Sequence, residues 1–367
     1  MAEFLARVWE ALTRRIDNFL FGCALVLVAV GLVTLFSAAD QNAARVTTQV
    51  LSFGFALVLM WVVANIPPQT IARAAVPLYV LGILLLLGVA FFGIVVNGSR
   101  RWLNLGFARI QPSELMKIAL PLMLAWYFQK FEGRINWKDF AVAAVLIVIP
   151  VYLIKRQPDL GTALLIGASG FYVLYLAGLS WKIIVGLVAV AGAAGPYVWA
   201  HLHDYQRERI LTFIDPTRDP LGAGYHSTQA SIAIGSGGVI GKGWLNGTQT
   251  HLDFLPERHT DFIFAVFGEE FGLIGNGLLL VLYLLLIGRA MMITANASTL
   301  FARLMAGAVT LMFFTYAFVN MGMVSGLLPV VGVPLPLVSY GGTALVSLFI
   351  GLGILMSVQA HRKLVTT

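Results

Sequence analysis

Phe19-Leu-Phe-Gly-Cys-Ala-Leu-Val-Leu-Val-Ala-Val-Gly-Leu-Val-Thr-Leu-Phe-Ser-Ala-Ala39 is a run of 21 residues without a charged side chain. As an α-helix it reaches about 31 Å, enough to cross a hydrocarbon core of about 30 Å. Arg14 and Arg15 precede it, as they would a secretory signal. The run exceeds the apolar part of such a signal, about 7–15 residues, so it reads as an uncleaved anchor. Cys23, the single cysteine, lies inside it and reads as a small packing residue. One cysteine excludes an intramolecular disulfide and a thiolate metal site.

Comparable apolar runs follow near 46–66, 76–96, 114–129, 140–154, 161–179, 183–200, 262–288, 301–323 and 343–360. Only helices satisfy their backbone polar groups within one segment in lipid. The pattern therefore predicts an all-α polytopic membrane protein with about ten transmembrane helices. Of the 367 residues, 59% are hydrophobic and 11% charged, against roughly 25% charged in soluble domains. Nothing is left over for a soluble domain. Residues 1–367 read as a single membrane domain, with a long polar loop at about 201–261 between the seventh and eighth spans.

Ten spans put both termini on one side. Twelve Lys and Arg fall on that side, against Arg45, Arg100, Arg101, Arg109, Lys155 and Arg156 in the opposite short loops. Cytoplasmic loops carry the cationic excess, so both termini are expected in the cytoplasm and the long loop outside. The net charge of +7 follows from the same bias, and no motif points to nucleic acid. The outer cations are concentrated in 97–112 and 155–160, which invites an anionic ligand at the outer surface.

Gly326-Leu-Leu-Pro329-Val-Val-Gly332-Val-Pro334-Leu-Pro336-Leu-Val-Ser-Tyr-Gly341-Gly342 is apolar but too rich in Pro and Gly for one unbroken helix. It is either an outer loop dipping into the headgroups or the wall of a cavity, because such backbone at membrane depth must be buried in protein or line a wet space. No internal repeat or matching broken segment appears in the first half, which argues against an inverted-repeat transporter.

A charge near the middle of a membrane helix costs about 2.5–3.5 kcal/mol on insertion scales, so each calls for a partner or a task. Asp261 stands where the chain enters the eighth span, directly after Arg258, His259 and Thr260. Thr260 or Asp261 could cap the helix. Alternatively Asp261 is a general base at the water–lipid boundary, with Arg258 and His259 beside the substrate. Glu269 is two turns deeper and about 80° around the helix, and reads as a structural contact. Gln111-Pro112-Ser113-Glu114 reads as a helix start, with Glu114 and Lys117 an i,i+3 pair. That pair either neutralises itself for insertion or presents Lys117 to phosphate. Trp102 suits an interfacial belt, and Asp159 a helix cap. Gly235-Ser-Gly-Gly-Val-Ile-Gly241-Lys242-Gly243 fails as a P-loop, since Ser236 and Gly243 stand where Gly and Ser/Thr are required. It remains a flexible loop able to carry Lys242 to an anion.

Arg101-Trp102, Gln111-Pro-Ser-Glu114, Gln157-Pro-Asp159-Leu-Gly-Thr, Asp219-Pro-Leu-Gly-Ala-Gly-Tyr-His226, Gly235-Ser-Gly-Gly, Leu255-Pro-Glu-Arg-His-Thr-Asp261-Phe and Pro334-Leu-Pro-Leu-Val-Ser-Tyr-Gly-Gly342 occur in this order. Together, over about residues 18–363, they resemble the SEDS (shape, elongation, division, sporulation) family. The form Pro-Glu-Arg-His-Thr-Asp is similar to its RodA branch rather than its FtsW branch. The resemblance implies a peptidoglycan glycosyltransferase of the bacterial cytoplasmic membrane that polymerises lipid II, the undecaprenyl-pyrophosphate-linked disaccharide-pentapeptide. It also implies a class B penicillin-binding protein as partner within the rod-elongation complex. The family's essential aspartate falls on Asp261, and its supporting residues on Arg101, Trp102, Arg109, Glu114, Lys117 and Asp159.

The chemistry fits these residues. A β-1,4 bond made from an α-linked pyrophosphate donor inverts the anomeric carbon, so one displacement with one base suffices. Arg and Lys side chains, or a divalent cation such as magnesium or manganese, would meet the charge of the departing pyrophosphate. Two other readings use the same residues: a lipid II flippase, and a non-catalytic scaffold for the penicillin-binding protein.

Overall fold

The computed structural model describes residues 14–96, 99–104, 106, 109–157, 159–202, 204–215, 223–252, 255 and 257–362. Pro158, the stretch Asp219 to Gly222 of one quoted motif, and the cations Arg7, Arg218 and Lys363 lie outside them.

Ten helices fall on the ten apolar runs. In chain order the described helices are α1 (Asn18–Ala38), α2 (Ala43–Asn65), the short α3 (Pro68–Arg73), α4 (Ala75–Phe92), α5 (Pro112–Lys130), α6 (Trp137–Lys155), α7 (Leu160–Leu176) and α8 (Trp181–Ala200). Then come α9 (Asp204–Ile214), α10 (Ala223–Ser236), α11 (Thr248–His251), α12 (Ile263–Ala295), α13 (Leu300–Val324) and α14 (Gly342–Ala360). Seven of them, α1, α2, α4, α6, α12, α13 and α14, are long and apolar enough to cross a bilayer. The chain is a polytopic, predominantly helical membrane protein. Its cysteine is free and buried, as a packing residue would be.

Two departures from the expected pattern concern the connections. The run predicted to continue to 96 ends as helix at Phe92, and three short antiparallel strands follow: β1 (Ile94–Val96), β2 (Ser99–Asn104) and β3 (Arg109–Ile110). Ile94 pairs with Trp102 and Leu103 with Ile110. The polar stretch at about 201–261 is not plain loop either, because it contains α9, α10 and α11.

Among membrane helices packing depends on close approach and buried polar bonds more than on solvent exclusion. α14 lies along α2, and a Cβ on Gly353 would stand 2.6 Å from the Met60 carbonyl oxygen. Asp17 caps α1 through the Leu20 N–H at 2.9 Å and takes Arg289 of α12 in a two-pronged pair at 2.5–3.2 Å. α13 is the hub, packed against α5, α7, α12 and α14.

α12 is broken at Gly272 (φ 65°, ψ −163°). The break removes the bonds that Leu273 and Ile274 would donate to the carbonyls of Glu269 and Glu270. The glycine-rich loop replaces both sides. The N–H groups of Lys242 and Gly243 reach the carbonyls of Glu269 and Glu270 at 3.0 and 2.9 Å, while Leu273 and Ile274 donate to Gly238 and Val239 at 2.9 and 3.1 Å. A Cβ on Gly272 would sit 2.4 Å from the Gly241 nitrogen, and one on Gly241 2.2 Å from the Glu270 oxygen. Glycine is required on both sides of this splice.

Candidate active site

From Val333 to Ser339 the Pro/Gly-rich segment after α13 forms a wall inside the protein, with Val333, Leu335, Leu337 and Val338 all buried, while Gly326, Leu327 and Gly332 stay exposed. Its backbone groups are met one by one, as burial demands. Asn320 donates to the Val333 carbonyl at 2.7 Å and Tyr283 to the Pro336 carbonyl at 2.5 Å. The Ser339 hydroxyl accepts from the Leu335 N–H at 2.7 Å. Gln49 of α2 brackets the far end, donating to Ser339 and accepting from Gly341, both at 3.3 Å.

The chain around Asp261 is sewn to this wall. Tyr340 donates its N–H to the His259 carbonyl at 2.9 Å, Ser339 its hydroxyl to the Thr260 carbonyl at 2.6 Å, and Asn320 its amide to the Asp261 carbonyl at 2.8 Å. Asp261 is not the N-cap residue of α12, a position taken by Phe262. Thr260 donates to Glu257 instead. The half-buried Asp261 turns its Oδ2 to within 3.1 Å of where a Cβ on Gly332 would stand. Gly332 has φ +72°, so glycine both permits the turn and leaves room for the carboxylate.

The same wall touches the start of α7. A Cβ on Gly161 would stand 2.6 Å from the Val331 oxygen, next to Gly332. Asp159 caps this helix through the Thr162 N–H at 3.1 Å, and its other oxygen takes Arg101 of β2 at 3.3 Å. It is a cap and an ion-pair partner at once. Trp102, beside Arg101, is half-buried, whereas Arg109 is exposed in β3.

Glu114 and Lys117 form the expected i,i+3 pair at 2.6 Å, with side chains only 14% and 7% exposed. Ser347 of α14 donates to the second Glu114 oxygen at 2.8 Å, and the Lys117 ammonium stands 5.1 Å from the centre of the Tyr316 ring on α13. Tyr316 also packs with Val331 and Val333. α13 thus carries both the residue facing Lys117 and, one turn on, the residue holding Asp261. Glu114 also lies on the rim of a cavity of about 650 Å³ between α2, α4, α5 and α14. Its lining is almost wholly apolar, including Phe55, Leu78, Leu85 and Ile350. Ligand pockets are commonly about 300–1,000 Å³.

The remaining candidates have partners of their own. Arg258 bonds the Thr250 carbonyl and the Asp40 carboxylate. His259 faces Tyr340 with ring centres 5.9 Å apart. Burial pushes the His259 imidazole below its ordinary pKa, and the charges of Arg45 and Arg258 add to this against Glu257. Lys242 gives its ammonium to Glu269 at 2.8 Å and Thr248 at 2.7 Å. Glu269, fully buried, also accepts the N–H of Gln249 at 2.9 Å and both donors of Thr250. It is a structural contact, as its position suggested. Asn320, Ser347 and Tyr316 stand in no motif of the sequence. The one signal available was an amide inside the apolar run 301–323.

The chain is similar to known proteins over most of its length. The family model described as "Cell cycle protein", covering FtsW, RodA and SpoVE, matches residues 17–364. The peptidoglycan glycosyltransferase MrdB of Escherichia coli (strain K12) is 51% identical over 343 residues, 93% of each chain. A solved chain from a peptidoglycan synthase complex that coordinates polymerization and crosslinking superposes with a TM-score of 0.83 at 35% identity, covering 95% of this chain and 99% of that one. The rod shape determining protein RodA of Thermus thermophilus superposes with a TM-score of 0.72 at 32% identity, covering 95% and 98%. With most of its length matched by the family model and by these relatives, the chain belongs to the SEDS family of FtsW, RodA and SpoVE proteins.

Proposed function

We infer that this protein is a peptidoglycan glycosyltransferase that polymerises lipid II into β-1,4 glycan strands during rod elongation. The observation that carries the mechanism is the Asp261 carboxylate beside Gly332, on a main chain stitched to the buried wall. Asp261 takes the proton of the acceptor's N-acetylglucosamine 4-hydroxyl. That oxygen attacks the anomeric carbon of the donor, and the bond to pyrophosphate breaks with inversion, the electron pair leaving on the diphosphate. A base of this kind contributes about 10²–10⁴-fold.

The departing charge is met by Arg101, Arg109 and Lys117, with Glu114 and Asp159 holding two of these cations at 2.6 and 3.3 Å. Trp102, Lys242, Arg258 and His259 complete the substrate surface in this reading. Among the described residues no three His, Cys, Asp or Glu side chains are grouped to hold a metal. A magnesium or manganese ion bound with the substrate would add positive charge to meet the departing pyrophosphate. The apolar cavity under Glu114 offers the polyprenyl chain a slot that keeps it in lipid.

The same reading places ten spans, α1, α2, α4 to α8 and α12 to α14, as one membrane domain in the bacterial cytoplasmic membrane. Both termini are cytoplasmic, and the site opens outward with the long connection at about 201–261. A class B penicillin-binding protein is the expected partner. The test is polymerisation of lipid II by purified protein, with and without that partner. Asp261→Asn should abolish polymer yet leave lipid II binding intact; polymer at the wild-type rate from this variant would refute the base. Lipid II translocation by both forms without polymer would favour the flippase. Normal cell shape with Asp261→Asn would favour the scaffold.

A further inference from the structure

We propose that Asn320 is a positioning residue for the transfer reaction, holding the Asp261 main chain on the wall so that the carboxylate keeps its place over Gly332. This rests on Asp261 being the base. Asn320 is completely buried in α13, in a run that is otherwise almost entirely apolar. An amide there is costly unless bonded, and it usually marks a contact between segments. One nitrogen, Nδ2, donates to two carbonyls from different parts of the chain, Asp261 at 2.8 Å and Val333 at 2.7 Å. The opposite amide orientation would turn oxygen toward both carbonyls, so the partners themselves fix which atom is nitrogen. Its Oδ1 is buried without a hydrogen bond. The side chain leaves its acceptor unused while both its donors are engaged.

Those two bonds span the critical gap. Val333 follows Gly332, the residue against which the carboxylate lies, and Asp261 carries that carboxylate. Asn320 therefore fixes relative to one another the two sides of this approach, in which Asp261 Oδ2 stands 3.1 Å from where a Cβ on Gly332 would be. The bonds at His259 and Thr260 anchor the preceding residues, while Asn320 takes the carbonyl of the base itself. A base works within a hydrogen-bond window of about 2.6–3.2 Å, and a misplacement of about 1 Å can cost on the order of 100-fold.

The experiment compares Asn320→Leu and Asn320→Asp in the purified full-length protein polymerising lipid II, using detergent-stable, monodisperse fractions. Asn320→Leu, of similar size but without donors, should lower kcat by about 30–100-fold with KM within about threefold. Asn320→Asp keeps the shape. Buried between two carbonyls its carboxyl stays protonated to higher pH than usual and supplies one donor; once ionised it supplies none. Its kcat relative to wild type should fall as pH rises, a dependence Asn320→Leu lacks. The proposal is overturned if folded Asn320→Leu retains kcat within about threefold, or if its loss appears wholly in KM. It is equally overturned if neither variant stays monodisperse, since Asn320 then serves the fold rather than the base. Polymer formation by Asp261→Asn would remove the base reading itself; an inactive Asp261→Asn beside a fully active Asn320→Leu would sink the positioning role alone.

Discussion

Removing the Lys117 ammonium by Lys117→Met should destabilise the protein far more than removing both members of its pair. The charges are 2.6 Å apart with side chains 7% and 14% exposed. At an effective dielectric constant of about 20, their attraction is roughly 6 kcal/mol. Desolvation of the two ions offsets most of this, at several kcal/mol each, so the intact pair contributes little net stability. A lone partner is different. Glu114 would keep only the Ser347 hydroxyl, and in Glu114→Gln the Lys117 ammonium would keep the Tyr316 ring. Each single variant should therefore cost about 3–5 kcal/mol, less whatever is relieved by a change of protonation. The double variant Glu114→Gln/Lys117→Met should lie within about 2 kcal/mol of wild type, giving a coupling energy of about 4 kcal/mol or more, less the same relief. Reversible denaturant unfolding in mixed micelles measures the four species. Additive losses, or single variants as stable as wild type, would show that water screens these charges and that the burial argument is wrong. A double variant that folds but makes no polymer would separate the chemical role of Lys117 from its structural one.

Two further outcomes can be checked with the same preparation. Gly272→Ala should lower stability by about 2–5 kcal/mol, because it forces a side chain into a glycine-only conformation and against the Gly241 nitrogen at 2.4 Å; Gly277→Ala, whose Cβ meets nothing within 4 Å in the same helix, should be neutral or slightly stabilising, and equal unfolding midpoints for the two would contradict this. The depressed pKa of His259 means that the unfolded chain binds a proton more readily than the folded one. Its contribution to stability is then complete above the ordinary value of 6.5 and erodes as pH falls below it. His259→Asn should flatten the melting temperature between pH 7 and pH 5, and an unchanged slope would exclude this residue.

The membrane helices were legible because lipid imposes one length and one polarity on each. The predicted run 301–323 becomes Leu300–Val324, and 343–360 becomes Gly342–Ala360. Where water competes with lipid the pattern loses force. Ile94, Val95 and Val96 are as apolar as the helix before them, yet they pair with the strand carrying Arg101. The capping alternatives divided for a similar reason. Asp159 caps because the next helix begins beside it, while Asp261 is one residue too early for its own helix, which leaves its carboxylate beside the wall. Long-range partners left no trace in spacing. Arg101 and Asp159, or Lys242 and Glu269, meet only after the helices have packed. Asn320 was visible as an amide in an apolar run, but the carbonyls that justify it belong to segments on either side of that run.

The splice at Gly272 makes the loop before it sensitive to its length more than to its spelling. Val239 and Ile240, 60% and 80% exposed, contribute one carbonyl and the spacing, so many side chains would serve there equally well. Deleting Ile240 or Gly241 would put the two bonds at Gly238 and Val239 out of frame with the two at Lys242 and Gly243. The stretch should therefore accept substitutions at Val239 and Ile240, keep Gly241, and reject insertions and deletions.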